Sequence, residues 1–464
     1  RGQLLARAGK REQAVLAFQR SLELMPQQPD LRDLLATFGA RGGDDLFAQR
    51  GADLEKVVAQ ADKDGLPGNF KGKEAGVLLH RIVQRVSSNG LGERLDQRII
   101  RVLDDRGVRS QSLHMFSYDP AESFVEVRRA RVMHADGTVE ELGEVGTFSL
   151  AAAGYRMYYD QRQIRVGFSG LRVGDTVEVV FLRRDVAAEN IFDDYYGEVV
   201  PLEDSSPIAR FEYTLEAPKD MQFHFNRKVE SKDLAAEEGG EPMRQYTLTR
   251  AKVAGVKGEA NMPGWTEALQ YLHVSTYGTW DAVARWYWDL VEEQLIVDDE
   301  IRGGVKEAIA DLPADASERD KVDAVYRHVI SKTRYVGLEF GIHGYKPYRT
   351  TDVYNRRFGD CKDKASLLKV MLAEIGVVSH LVLVRTRDQG RIGTKPASLS
   401  AFNHAIVYVP KFDLYLDGTA EWSGPDELPS GDQGASVLIV KDGQGGEFTR
   451  IPVSKPADNR KTVR

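Results

Sequence analysis

Cys361 is the only cysteine of the chain, and the residues after it decide what kind of element carries it. Leu367, Leu368, Met371, Leu372 and Ile375 recur at helical spacing, and Gly376 offers a stop. The spacing predicts an amphipathic, partly buried helix with Cys361 in its first turn. A helix start carries partial positive charge and N–H groups without intrahelical partners. Such a setting favours the thiolate, the nucleophilic form of cysteine, and Lys362 and Lys364 add cations beside it. Gly359 permits a sharp turn just before. A small buried apolar cysteine is the competing reading.

Two strands are predicted downstream, Phe402–Val409 and Phe412–Asp417, with Pro410-Lys411 between them. A hairpin centred on that pair sets Val409 opposite Phe412 and His404 opposite Asp417. Opposed residues share a face, with Cβ atoms roughly 4.5–5.5 Å apart, and a slip of one residue would break the pairing. Cysteine on a helix start, then histidine and aspartate on adjacent strands, supplies a nucleophile, a base and an orienting group for acyl transfer. A half-buried strand histidine and a turn-capping aspartate are the plain readings of His404 and Asp417 taken singly.

Three motifs carry a family resemblance: Gly359-Asp360-Cys361-Lys362-Asp363-Lys364, Phe402-Asn403-His404-Ala405 and Leu416-Asp417-Gly418-Thr419. Their order resembles the transglutaminase-like superfamily. The likeness is closest to a bacterial subgroup in which a β-rich domain of unknown function precedes a papain-like α+β core. The motifs span roughly residues 315–425. The resemblance implies Cys361, His404 and Asp417 as a catalytic triad acting on a protein or peptide. It leaves the reaction open, since the superfamily includes transferases, peptidases, amidases and inactive binding proteins. It also favours a periplasmic or secreted setting over a cytoplasmic one.

Length and charge narrow the remaining classes. At 464 residues, two or three domains are expected. A net charge of -7 and a pI near 5.8 argue against general nucleic-acid binding. No apolar run approaches the roughly 20 residues that span a bilayer. One cysteine leaves the redox compartment open. The start at Arg1 reads as that of a fragment. No phosphate-binding glycine loop and no acidic calcium loop occurs, so no cofactor or metal is expected.

The expected architecture is multidomain α+β. Residues 1–70 form a helical segment and linker, 71–260 an antiparallel β-sandwich-like domain, and 261–464 the core with its leading helices. Residues 1–40 resemble one tetratricopeptide repeat, with Ala8 and Ala14 at a helix crossing, Phe18 packing and Pro26 closing the second helix. A lone repeat cannot bury its own faces; it offers a possible site for a protein partner. One helix is expected over 53–62, then a break at Gly65–Gly68. Apolar runs over 98–103, 124–127, 130–134, 163–168, 175–182 and 209–215 read as strands, and the run 76–83 as a strand or a short helix. His114, His134 and His224 are scattered among them without metal-ligand spacing.

Residues 262–312 read as helical, with a junction at Gly303-Gly304 and aromatics at Trp280–Trp288 that suit core packing or docking on the β domain rather than the alternative, a sugar- or peptide-binding strip. Ser317 and Asp320 form a capping box for a helix ending near Arg334. A loop over Tyr335–Arg357 leads to Cys361 and reads as one wall of a cleft. Oxyanion donors are sought in the Cys361 N–H and, as a second, Tyr335 or Tyr345. Strands follow at Val377–Val384 and Ala435–Val440. Trp422 is assigned either to packing over the site or to a structural role. A catalytically inactive binding or scaffold protein is the alternative to an enzyme.

Overall fold

The computed structural model describes the chain except residues 8, 25–30, 32–34, 36–45, 121, 142–143, 153–155, 186–189, 191, 193, 236–240, 340, 456 and 458–464. It is a multidomain α+β protein. Helices α1 (Gly2–Arg7) and α2 (Arg11–Leu24) pack around Ala14 and Phe18, and Gly2 passes against the Phe18 ring, where a Cβ would collide with it. The expected helix stop at Met25-Pro26 lies outside the described residues.

The region expected to be a linker or connecting helix is helical and packs into a core. Helices α3 (Leu46–Arg50) and α4 (Leu54–Asp64) are pinned down by Leu46 and Leu54, both fully buried. Asp53 caps α4 by accepting the Lys56 N–H. What draws both helices in is an apolar sheet face.

That sheet is built from β1 (Ala75–Val86), β2 (Gly92–Val102), β4 (Ser123–Met133), β5 (Val139–Glu141), β8 (Thr176–Asp185), β10 (Ile208–Pro218), β12 (Glu230–Asp233) and β13 (Met243–Val253). Its order is β12-β13-β10-β1-β2-β8-β4-β5. One pair, β1 with β10, is parallel, against the expectation of a wholly antiparallel sheet. The runs 124–127 and 130–134 are a single strand with an irregularity between Val127 and Arg129. In β1, Leu79 and Val83 face α3 and α4, while Ile82 and Val86 face the other way. Burial on both faces explains why β1 reads as a continuous apolar run.

Two smaller sheets cover the second face. One holds β3 (Leu113–Tyr118), β6 (Glu144–Ala152) and β7 (Met157–Gly167), and its Ile164 and Val166 pack against Val177 and Val179 of β8. Helix α5 (Asp105–Ser110) leads into it. The other pairs β9 (Gly197–Pro201), β14 (Tyr271–Ser275) and β11 (His224–Phe225), burying Leu272 and Val274 against Phe211 and Tyr213. β14 follows the short helix α6 (Trp265–Ala268), so part of the stretch expected to be helical is strand.

The C-terminal core sets helices against a five-stranded antiparallel sheet. Its helices are α7 (Trp280–Val291), α8 (Asp299–Ile309), α9 (Glu318–Lys332), α10 (Thr350–Arg356) and α11 (Cys361–Glu374). The two-residue strands β15 (Arg334–Tyr335), β16 (Gly337–Leu338) and β17 (Phe358–Gly359) precede the sheet. Its strands are β18 (His380–Arg385), β19 (His404–Val409), β20 (Leu414–Leu416), β21 (Ser436–Val440) and β22 (Gly446–Arg450), in the order β20-β19-β18-β21-β22.

Leu367, Leu368 and Met371 of α11 pack with Val407, Val409 and Leu416 in one buried cluster. The glycine pair 303–304 is no junction: α8 runs through it, and a Cβ on Gly304 would lie 2.0 Å from the Tyr354 hydroxyl. Glycine is needed there for the close approach of α10. Trp280 stacks on Phe448 at 4.3 Å, so the α7 aromatics serve packing.

The segment before Cys361 is not a free loop. β16 adds in parallel to β7, joining the core to the β-rich region, and β15 pairs with β17. Tyr195 ties the same two regions, its hydroxyl accepting the Leu399 N–H at 3.1 Å and lying 2.9 Å from Ser398 Oγ. No helix among the described residues is long and apolar enough to cross a membrane.

Candidate active site

Cys361 is the first residue of α11 and is half-buried. Asp360 is the cap. Its side chain accepts the Asp363 N–H at 3.3 Å, and the Asp363 carboxylate reaches back to the Asp360 N–H at 3.3 Å. Asp363 also accepts the Tyr348 N–H at 2.8 Å and Arg356 Nη2 at 2.9 Å. Burial and the neighbouring Asp360 push its carboxyl up to about 6. Lys362 pairs with Asp360. The acids flanking the cysteine therefore hold the helix start in place.

His404 opens β19, and its Nε2 lies 3.4 Å from Asp417 Oδ1. Cys361 lies near enough to the same imidazole to favour its charged form. Burial disfavours the imidazolium, but Asp417 and Cys361 outweigh it and hold His404 well above the usual histidine range. Asp417 is buried, and its Oδ1 also accepts Thr419 N–H and Oγ1–H, each at 2.8 Å. Despite burial, these bonds and His404 keep its carboxyl below the ordinary value.

The hairpin register differs from the expected one. Val409 pairs with Leu414 and Val407 with Leu416. Pro410–Phe412 form a 3-10 turn and Asp413 takes a left-handed conformation (φ 47°), so the loop centre moves by one residue and the pairing by two. Extending the ladder sets Ile406, not His404, opposite Asp417. A shift of two preserves side-chain parity, so His404 stays on the Asp417 side as its diagonal neighbour.

Tyr335 lies within electrostatic reach of Cys361 and Asp417. So does Tyr287 of α7 with respect to Cys361. Tyr345 does not join them: its ring packs at 4.9 Å against Phe192 and at 6.3 Å against Trp286. Trp422 neither covers the site nor packs structurally; it is 97% exposed. Of the scattered histidines, His134 bonds Asp175 at 3.1 Å, His114 meets Phe168 edge-on, and His224 is exposed.

One group escaped the sequence reading. Asp432, only 2% exposed, brings a carboxylate oxygen within 4.8 Å of His404 and Asp417. It sits in the turn Pro429–Gly434, where nothing in the local pattern marks it out. Among the described residues no other cluster has this His/Asp make-up.

Lys364 lies beneath the site, fully buried, donating to the Thr333 carbonyl at 2.6 Å. Gly418 passes over its Cβ, where a side chain would be crowded at 3.2 Å. Burial pulls the ammonium down to about 8, against the attraction of Glu421 and Asp417. Between that value and the ordinary 10.5 the unfolded chain binds more protons, so this group's contribution rises with pH. Wild type should gain about 2 kcal/mol over Lys364→Met between pH 7.5 and 9.5, read from urea midpoints; a constant difference would refute this.

Residues 88–257 match DUF3857. That family model is described as a domain of unknown function with a solved structure. The match runs from the β1–β2 turn past β13; it leaves out the central strand β1 and all of the candidate site. No curated protein matches the chain. Among solved structures, a candidate protease from Parabacteroides distasonis superposes with a TM-score of 0.62 at 17% identity, covering 82% of this chain and 72% of that one. At that identity the likeness concerns the fold.

Two others are far weaker. A candidate cysteine protease from Cytophaga hutchinsonii gives a TM-score of 0.22 at 12% identity, over 55% of this chain and 88% of that one. An M1 zinc metallopeptidase from Deinococcus radiodurans gives 0.25 at 13%, over 43% and 42%. Neither superposition carries an argument about this chain.

Proposed function

We propose that this protein is a cysteine-dependent enzyme that cleaves or transfers the acyl group of a peptide or protein amide, with Cys361 as nucleophile, His404 as acid and base, and Asp417 as orienting group. The observation that carries the reading is His404 Nε2 at 3.4 Å from the buried Asp417 carboxylate, with Cys361 acting on the charge of the same ring. The Parabacteroides neighbour is itself called a candidate protease, which accords with an amide substrate. In this reading residues 261–464 are the catalytic unit, 71–260 a β-rich unit that borders it, and 1–70 a helical lead.

With Asp417 on Nε2, the Nδ1 atom serves the thiol. Transfer of the thiol proton to His404 leaves a thiolate that attacks the carbonyl carbon. The oxyanion forms at the helix start, where the Cys361 N–H is one donor and the Tyr335 hydroxyl the second. His404 then hands its proton to the departing amine as the C–N bond breaks, leaving a thioester on Cys361. Water, deprotonated by His404, releases the acid and restores the thiol; an amine in its place yields a new amide.

A peptide p-nitrophenyl ester tests the intermediate. Intact-mass analysis should find one acyl group on wild type, released by hydroxylamine, and none on Cys361→Ala. Equal acylation of both proteins would overturn the reading.

A further inference from the structure

Two buried carboxyl groups meet behind His404, and the proposed chemistry uses only one. Asp417 and Asp432 are each 3% exposed or less, and each brings a carboxylate oxygen within 4.8 Å of the other and of His404. Carboxylates this close and out of water do not readily both keep a negative charge; they share a proton or a cation. The surroundings favour a proton. Oδ1 of Asp417 is already filled by His404 and by both Thr419 donors. Oδ2 of Asp432 is buried without a hydrogen-bond partner, an unfavourable state for a carboxylate oxygen but a tolerable one for an acid whose proton is spent elsewhere.

The backbone holds Asp432 in this position. Its N–H donates to the Pro429 carbonyl at 3.0 Å, and its carbonyl accepts the Ala435 N–H at 3.1 Å, just before β21. The Arg387 N–H donates to the Gly431 carbonyl at 2.7 Å, fixing the turn from the other side.

We propose that Asp432 is a positioning residue: its carboxyl group keeps a proton and donates it in a hydrogen bond to Asp417, which holds Asp417 against His404. The inference rests on the acyl-transfer reading for its functional meaning, though the hydrogen bond itself does not. Burial and the charge on Asp417 push the Asp432 carboxyl up to about 7, opposed by His404. The facing groups are His404 on β19 and Asp417 after β20. Lys364 on α11 and Glu421 stand beyond Asp417, and Cys361 beyond His404. A proton that leaves Asp432 near neutrality would place a second negative charge beside His404 and raise its proton affinity.

The test uses Asp432→Asn, whose amide can donate the same bond but cannot ionise, and Asp432→Leu, which donates nothing. One readout is the ring titration of His404, followed by NMR on chain carrying ¹⁵N-histidine and assigned with His404→Ala. The other is iodoacetamide labelling of Cys361. Wild type should show an inflection near pH 7 in the His404 ring shifts, absent from the Asn variant. Labelling at pH 6.5 should stay within about threefold of wild type for Asn and fall at least tenfold for Leu.

Persistence of the inflection in Asp432→Asn would overturn the proposal even if the Leu variant fails to fold. So would Asn labelling as slowly as Leu. Micromolar Zn²⁺ that moves the wild-type ring signals but not those of the Asn variant would show that a cation, not a proton, lies between the carboxyls. Should His404→Ala label as fast as wild type while the inflection disappears in the Asn variant, the hydrogen bond stands and the catalytic reading falls.

Discussion

His404→Ala should lower turnover of a peptide amide by at least about a thousandfold. In the proposed reaction the imidazole both accepts the thiol proton and returns it to the leaving amine, and its Nε2 lies 3.4 Å from Asp417. The fold should survive, because the ring sits at the first residue of β19, at one end of the sheet, and its side chain keeps 15% exposure. Urea midpoints of the two proteins, measured beside the rates, separate catalysis from the stability lost with the His404–Asp417 pair. A loss below tenfold would mean that His404 is not the base.

The second large effect concerns the helix start. Asp363→Ala removes the acceptor for the Tyr348 N–H, the partner of Arg356 and half of the capping box under Cys361. At pH 7.5 the carboxyl, whose value is about 6, is mostly ionised, so the pair with Arg356 is intact there. Losing a cap typically costs about 1 kcal/mol, and breaking a buried charge pair costs more. Arg356 keeps the Phe358 carbonyl and lies over the Tyr348 ring, which limits the damage. The expected loss is about 2–4 kcal/mol, read as a lower urea midpoint. Labelling of Cys361 should also lose much of its dependence on His404, because a frayed first turn releases the thiol. A stability within about 0.5 kcal/mol of wild type, the size of an ordinary surface substitution, would contradict this account of the acids.

The readable parts of the chain were those whose pattern is local. The helix after Cys361 and the capping box at Ser317 and Asp320 follow from spacing and from side chains that bond their own turn. β1 presented an apolar run because both of its faces are buried, and a run of that kind fits a short helix as well as a strand. β3, β13 and β14 did not. β3 alternates exposed and half-buried residues, and β13 is half-buried or exposed along most of its length, so neither presents an apolar run. β14 is short and lies between two helical stretches, and its strand character comes from partners, β9 and β11, far away in sequence.

At the site, the side-chain face of His404 was legible while its register partner was not. Parity belongs to the strand; register belongs to the turn, and the left-handed Asp413 that sets it has no strong sequence signal. Asp432 was illegible for a different reason. Its meaning comes only from the Asp417 carboxyl brought against it by the fold, from a turn whose residues are ordinary. The stretch before Cys361 read as loop because β15, β16 and β17 are two residues each and borrow their pairing from elsewhere.

The most direct measurement is the pH dependence of iodoacetamide alkylation of Cys361 in wild type and in His404→Ala. An activated pair predicts rapid wild-type labelling well below the free-thiol value of about 8.5, and loss of that acidic limb in the variant. Slow labelling with an ordinary thiol profile, unchanged by the substitution, would contradict the claim that Cys361 and His404 work together.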